Sequence, residues 1–432
     1  MKKSVRFSLF TTLALLLLCS LPLTAQDSLS ERLLALEGVA KVEELPTTAF
    51  PEKYLVYFTQ PIDHNNPSKG TFRQRVVVGH AGFSKPTVIV TEGYGGAYAL
   101  GSAYQEELSK LLDANLIFVE HRYFLESTPT DCDWTYLTAE ASACDLHAIR
   151  TTLGALYQKK WIATGISKGG QTTLIYRTFF PNDVDISVPY VAPLCKAVED
   201  GRHEPFLKKV GTREDRRKVK AFQLEVLKRK ATLLPLFEAY CKEKNYRFRA
   251  EVEEIFDFSV LEYSFALWQW GTPTEEIPGT EATDEALFRH LITISEPGYF
   301  DPAGGFLPFF VQAAKELGYY GYDTKPFQKY LSVTTSKGYL HRLMLPEALE
   351  NLQFDAALHQ RISNYLRNND PKIMFIYGEN DPWTAAGVTW LKGKKEMRVF
   401  VQPGGSHKAR IQTLPQAMKE EAIAILKQWL AE

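Results

Sequence analysis

An α/β fold with a mainly parallel sheet, interrupted by a long helical insertion, is predicted for this chain by three observations. From about Lys53, short β-rich runs alternate with helical stretches. The later β-rich runs are continuous apolar segments, the pattern of strands covered on both faces. Between about residues 200 and 345 convincing strands are lacking, and strand character then returns. A sheet that stops, gives way to helices and resumes implies a core domain carrying a cap.

The elements follow in order. Lys2, Lys3 and Arg6 precede a mostly apolar run from Leu9 to Leu18, and "LPLTAQ" follows. This is the charged, apolar and small-residue pattern of a secretory signal, so residues 1–25 are expected to be a leader cleaved after Ala25. The run is short for a membrane span, which needs roughly 20 apolar residues. Lipid attachment at Cys19 is the weaker reading, because Leu18 stands where such a site wants a small residue. The core is expected to begin over 26–199. "YLVYFTQPI" and "FRQRVVVGHA" lie close together and predict an antiparallel start. "PTVIVTEGY", "NLIFVEHRY", "WIATGIS" and "DISVPYVAP" then predict parallel βαβ units, with "SAYQEELSKLLDA" and "TAEASACDLHAIRTTL" as helices between them. The cap is expected over 200–345, in stretches such as "REDRRKVKAFQLEVLKRKATLLPLFEAY" and "DEALFRHLITI". Residues 346–432 resume the core with "PKIMFIYGEND", "MRVFVQPGG" and a closing amphipathic helix, "LPQAMKEEAIAILKQWLAE".

A formal net charge of −1 over 432 residues gives no electrostatic case for nucleic acid or an anionic membrane as the main partner. No membrane span is expected in the mature chain, and an exported chain is expected in the periplasm or outside the cell. Beyond Cys19 the cysteines are Cys132, Cys144, Cys195 and Cys241. An oxidising compartment permits a disulfide, with Cys132 and Cys144 the first pair to test; four buried thiols are the alternative. The sequence has no C-x-x-C, no H-E-x-x-H and no dinucleotide fingerprint, so neither metal nor cofactor is expected.

The chemistry concentrates at "ATGISKGGQTTL". Gly165-Ile166-Ser167-Lys168-Gly169 fits G-x-S-x-G between an apolar strand and a helical pattern. There a serine sits on a sharp turn that thrusts its hydroxyl above the sheet, and glycines nearby relieve the crowding. A phosphate loop would end in Lys-Ser or Lys-Thr, which this stretch lacks. A serine hydroxyl needs a base, and that histidine needs a carboxylate to hold its tautomer. Asp381 follows the strand "IMFIYG", and His407 follows "MRVFVQ" and is the last histidine in the chain. Glu379 is the rival acid; Asp381 lies further past the strand end. The oxyanion donors are expected from the N–H of Lys168 and from the glycine loop at Gly95 and Gly96.

"FTQPIDHNNP", "TEGYGG", "FVEHRYFLEST", "TGISKGGQT", "YGENDPW" and "GGSH" together resemble the secreted proline-specific tripeptidyl aminopeptidases, a family of serine peptidases. That family is distantly similar to the lysosomal Pro-X carboxypeptidase and dipeptidyl peptidase group. The resemblance runs from about Phe58 to His407. It implies an α/β-hydrolase core with an inserted helical cap, and release of di- or tripeptides from a free N-terminus, with proline near the cleaved bond. An esterase or lipase on the same core is the alternative, because the fold alone does not choose the scissile bond. An exopeptidase must also count residues from the amine. Glu92, Glu120 and Glu262 are candidates to pair with the ammonium, and Trp268 and Trp270 offer flat faces to a proline ring. Structural ion pairs and core packing are the competing roles for these five. His121 and Arg122 are expected to organise their loop, and His64, His80 and His147 to serve structure.

Overall fold

A computed structural model describes residues 28–432, so the expected leader, including Cys19, lies outside the described residues. Nine strands form one sheet: β1 (Val39–Glu44), β2 (Glu52–Pro61), β3 (Thr71–His80), β4 (Thr87–Thr91), β5 (Asn115–Val119), β6 (Trp161–Ile166), β7 (Ile186–Tyr190), β8 (Ile373–Gly378) and β9 (Met397–Gln402). Their spatial order is β1-β2-β3-β5-β4-β6-β7-β8-β9. β1, β2, β3 and β5 pair antiparallel, and every pair from β5 across to β9 is parallel. The sheet with its helices is that of an α/β-hydrolase.

The continuous apolar runs have the reason given for them. Along β4 and β5, Val88, Val90, Leu116 and Phe118 enter one core, while Ile89, Ile117 and Val119 enter the other. Strand side chains alternate in direction, so only a strand covered on both faces needs every position apolar. Helix Ala139–Gly154 covers one face through Leu146, Ile149 and Leu153; helix Gln416–Ala431 reaches the other through Leu426 and Trp429. β1 has no such signal, because "VAKVEE" is an edge strand with no residue fully buried. The stretch predicted as one helix over 102–114 is helical only at Glu107–Leu111, where the Glu106 carboxylate caps the N–H groups of Leu108 and Ser109.

Between β7 and β8 the chain is helical or irregular. Its centre is helix Val252–Trp270, apolar around most of its circumference and buried from Ile255 to Tyr263 and again from Phe265 to Trp268. A helix is apolar all round when neighbours enclose it. Here they are helices Arg213–Lys228, Lys230–Glu243 and Asp284–Ile294, through Phe222, Phe237 and Leu287. Among the described residues no helix is long and apolar enough to cross a membrane.

The four cysteines stand as free thiols: Cys132 is exposed, Cys144 half-buried, Cys195 and Cys241 buried. The Cys132–Cys144 disulfide is therefore absent. Arg122 is fully buried and holds its loop as expected, donating to both Asp145 oxygens and to the carbonyls of Ile62, Pro61 and Tyr136. His64 joins Asp145, His80 meets the Tyr157 hydroxyl, and His147 pairs with Asp183.

Candidate active site

Ser167 stands between the end of β6 and helix Lys168–Phe179, at φ 58° and ψ −120°. A non-glycine residue rarely adopts this left-handed backbone, and the neighbours must over-determine it. They do. The Ser167 N–H donates to the Tyr190 carbonyl at 2.9 Å, and the Ser167 carbonyl accepts from Gln171 N–H at 2.9 Å. Gly165 packs so closely that a Cβ there would overlap the Gly169 carbonyl and come within 2.9 Å of Thr91 O. A Cβ on Gly169, the second glycine of the pattern, would come within 3.0 Å of Thr91 O and 3.3 Å of Gly93 N. The G-x-S-x-G pattern is thus a backbone-packing requirement.

The other two residues arrive from later strands. Asp381 is fully buried in the turn after β8; its Oδ1 accepts from Trp383 N–H at 3.1 Å. Its Oδ2 lies 2.7 Å from His407 Nδ1 in the loop after β9. That contact leaves Nε2 as the free ring nitrogen, and it has no hydrogen-bond partner among the described residues. Ser167 and His407 line one cavity of about 770 Å³. They are not hydrogen-bonded to each other in this structure, a looseness common at serine–histidine pairs without substrate. Glu379, the rival acid, is exposed and accepts from Gly404 N–H at 2.8 Å. The helical segment also fixes the histidine loop: Gln269 O accepts from His407 N–H at 2.9 Å.

Of the expected oxyanion groups, the Lys168 N–H lies at the free start of its helix, where backbone donors have no intrahelical partner. Gly95 and Gly96 do not line the cavity. The Gly96 N–H is committed to the Glu120 carboxylate at 2.7 Å, and Gly95 packs on Leu125. The glycine that meets the serine turn is Gly93, where a Cβ would come within 2.6 Å of Gly169 N and 2.8 Å of Lys168 C. Next to it, Tyr94 lines the same cavity as Ser167. The Lys168 ammonium, buried, donates to Gly93 O at 2.6 Å and ties the two turns together. Burial draws its pKa down to about 7, against the charges of Glu92 and Glu316.

The carboxylate candidates separate. Glu120 is spent on structure: it pairs with Arg75 and accepts from Gly96 N–H and the Ser127 hydroxyl, away from the cavity. Glu92 lines the cavity, accepting from Tyr98 OH at 2.6 Å and Tyr94 N–H at 3.1 Å; burial raises its pKa. Glu262 also lines it, accepting from Tyr320 OH at 2.9 Å and Tyr322 OH at 2.8 Å. Burial pushes the Glu262 carboxyl up to about 8, against those two hydrogen bonds. Trp268 is core: it is buried and its ring edge presses on Gly211. Trp270 is half-exposed, lines the cavity and meets the His407 ring edge-on, centroids 6.1 Å apart.

Further cavity residues were not singled out from sequence: Glu296, whose carboxylate accepts from Tyr246 OH at 2.6 Å, with Tyr299, Phe309, Trp383 and Arg410. Tyr94 and Trp383 fall within segments that were noticed, "TEGYGG" and "YGENDPW". Glu296 and Tyr299 come from "SEPGYF", a turn with no motif.

Comparison with known proteins adds the following. The profile of the PS-10 peptidase S37 family matches residues 24–431. The chain is 30% identical over 418 residues to the prolyl tri/tetrapeptidyl aminopeptidase of Streptomyces mobaraensis, covering 94% of this chain and 85% of the relative. It is 31% identical over 202 residues to the lysosomal Pro-X carboxypeptidase of Mus musculus, covering 42% of this chain and 41% of that protein. Among solved structures, the proline iminopeptidase of Mycobacterium smegmatis aligns with a TM-score of 0.45 and 14% identity, over 87% of this chain and 99% of that one.

Proposed function

The chain belongs to the PS-10 peptidase S37 family and is a serine-type peptidase, and on that premise we propose that it releases di- or tripeptides from free N-termini, with proline preferred next to the cleaved bond. The observation that carries this reading is the pairing of Asp381 with His407 Nδ1, with Ser167 and His407 lining one cavity. Ser167 Oγ attacks the scissile carbonyl and its proton passes to His407 Nε2. The C–N bond then breaks, and the same proton goes to the leaving amine. Water, deprotonated by His407, hydrolyses the acyl-serine ester and restores the hydroxyl. Lys168 N–H and the Tyr94 phenol are the proposed donors to the oxyanion.

The helical segment over 200–345 acts in this reading as a cap that sets product length. Glu262, on its central helix, receives the substrate ammonium, with Glu296 nearby on the same wall. The aromatic walls, Trp270 among them, suit a proline ring. Export through the N-terminal leader is part of the proposal, on the basic residues Lys2, Lys3 and Arg6 ahead of the apolar run Leu9 to Leu18.

The test is hydrolysis of Ala-Pro and Ala-Ala-Pro p-nitroanilides, free and N-acetylated, by wild type and Ser167→Ala. Cleavage of the free substrates only, lost together with fluorophosphonate labelling in the variant, is expected. Equal turnover by both proteins, or turnover of acyl esters with no peptide cleavage, overturns the reading.

A further inference from the structure

The cavity has an uneven distribution of charge. Its carboxylates, Glu92, Glu262 and Glu296, are each held by tyrosine hydroxyls. Two of its cations, Lys408 and Arg410, lie on the loop that presents His407. Arg410 is anchored: Nη1 donates to His407 O at 3.1 Å and Ala409 O at 2.7 Å. Its Nε and Nη2, and the Lys408 ammonium, have no hydrogen-bond or ion-pair partner among the described residues. Three acids whose charges act on Arg410 are already engaged, Asp381 with His407 Nδ1 and the other two as follows. Glu107 accepts from Tyr190 OH and from Gln412 N–H at 2.7 Å, and Glu106 accepts from Leu108 and Ser109 N–H.

The chemistry orients substrate over this pair. The proton on His407 Nε2 must reach the leaving nitrogen, so the leaving peptide runs past the His407 loop. A guanidinium held at one nitrogen and seated over the Tyr190 ring, lining the same cavity as a second cation, is a receptor for a carboxylate. We propose that Arg410 and Lys408 form a subsite for the C-terminal carboxylate of the leaving peptide, making short peptides with both termini free the preferred substrates. This rests on His407 acting as the proton donor in the reading above. A carboxylate at this position has two sources, the chain terminus or an acidic side chain, and the proposal assigns the terminus.

The experiment compares kcat/KM for Ala-Ala-Pro extended by one, two, three or six alanines, each as free acid and as C-terminal amide. In wild type the acid is expected to exceed its amide by about tenfold or more at one of the shorter lengths. The two are expected to converge at six alanines. The acid-to-amide ratio is then measured in Arg410→Gln and Lys408→Gln; being internal to each protein, it is insensitive to a general loss of activity. The ratio is expected to fall severalfold in both. A wild-type ratio of one at every length, or a ratio unchanged in both variants, overturns the proposal. So does an amide bearing aspartate in the leaving part that matches the free acid, because the source is then the side chain. Turnover of Ala-Ala-Pro p-nitroanilide, whose leaving group has no carboxylate, separates failure of this subsite from failure of the aminopeptidase reading.

Discussion

Asp381 Oδ2 stands 2.7 Å from His407 Nδ1, with both residues buried, while Glu379 points outward to Gly404 N–H. In the proposed triad the carboxylate that holds the tautomer is Asp381. Asp381→Asn is expected to lower kcat on Ala-Ala-Pro p-nitroanilide by about 10⁴-fold, since an amide there favours the wrong tautomer. Glu379→Gln should leave kcat within about twofold, as expected for a surface change. Steady-state kinetics of the two variants decide it; the reverse ranking assigns the acid to Glu379.

The second oxyanion donor is a side chain in our reading. Tyr94→Phe keeps the ring and its packing but removes the hydroxyl proposed as the donor beside Ser167 in the cavity. A loss of about 10²–10³-fold in kcat is expected, with KM little changed. A wild-type kcat would leave the backbone as the sole source of both donors.

Glu262 ties activity and stability to pH. Its carboxyl is raised to about 8 by burial, so the folded protein holds a proton there that the unfolded chain releases near the usual carboxylate range. The sign follows: wild-type stability declines as pH rises from about 4.5 to about 8. Glu262→Gln should therefore gain stability relative to wild type across that window, by thermal melts at several pH values. The same variant should lower kcat/KM for free-amine substrates by about tenfold or more, having lost the ammonium's partner.

The two tryptophans of helix Val252–Trp270 should separate cleanly. Trp268→Ala opens a hole in the helical core and is expected to destabilise by about 3–5 kcal/mol. Trp270, half-exposed at the cavity, should cost little stability on truncation and raise KM for proline substrates. Urea denaturation with parallel kinetics checks both.

Gly165→Ala brings a methyl group into the Gly169 carbonyl. Backbone, unlike a flexible side-chain end, cannot step aside, so a loss of at least about 3 kcal/mol is expected. Gly279→Ala has open space around it and should stay within about 0.5 kcal/mol of wild type. Denaturant midpoints of the two variants give the comparison.

Much was legible from local signals. β2 through β9 could be read because apolar runs and their turn residues are local, and β1 was missed because a polar edge strand buries too little to leave a pattern. The chain order of Ser167, Asp381 and His407 after successive strands is likewise a one-dimensional signal. Donor availability is not. Gly95 and Gly96 looked accessible, but the Gly96 N–H belongs to Glu120, a residue whose own role is set by Arg75 on a different strand. Gly93, one turn nearer the serine, carries the close approach instead.

The sequence by itself determined the sheet's burial pattern, the left-handed serine turn and the order of the three candidate residues, because each depends on neighbours along the chain. Only the tertiary structure decided which carboxylates face the cavity, which tryptophan reaches His407, and that Gln269 of the helical segment holds the His407 loop. Those outcomes depend on hydrogen bonds and packing between segments far apart in sequence. A glutamate or tryptophan looks the same in one dimension whether its partner is a distant tyrosine, an arginine or solvent.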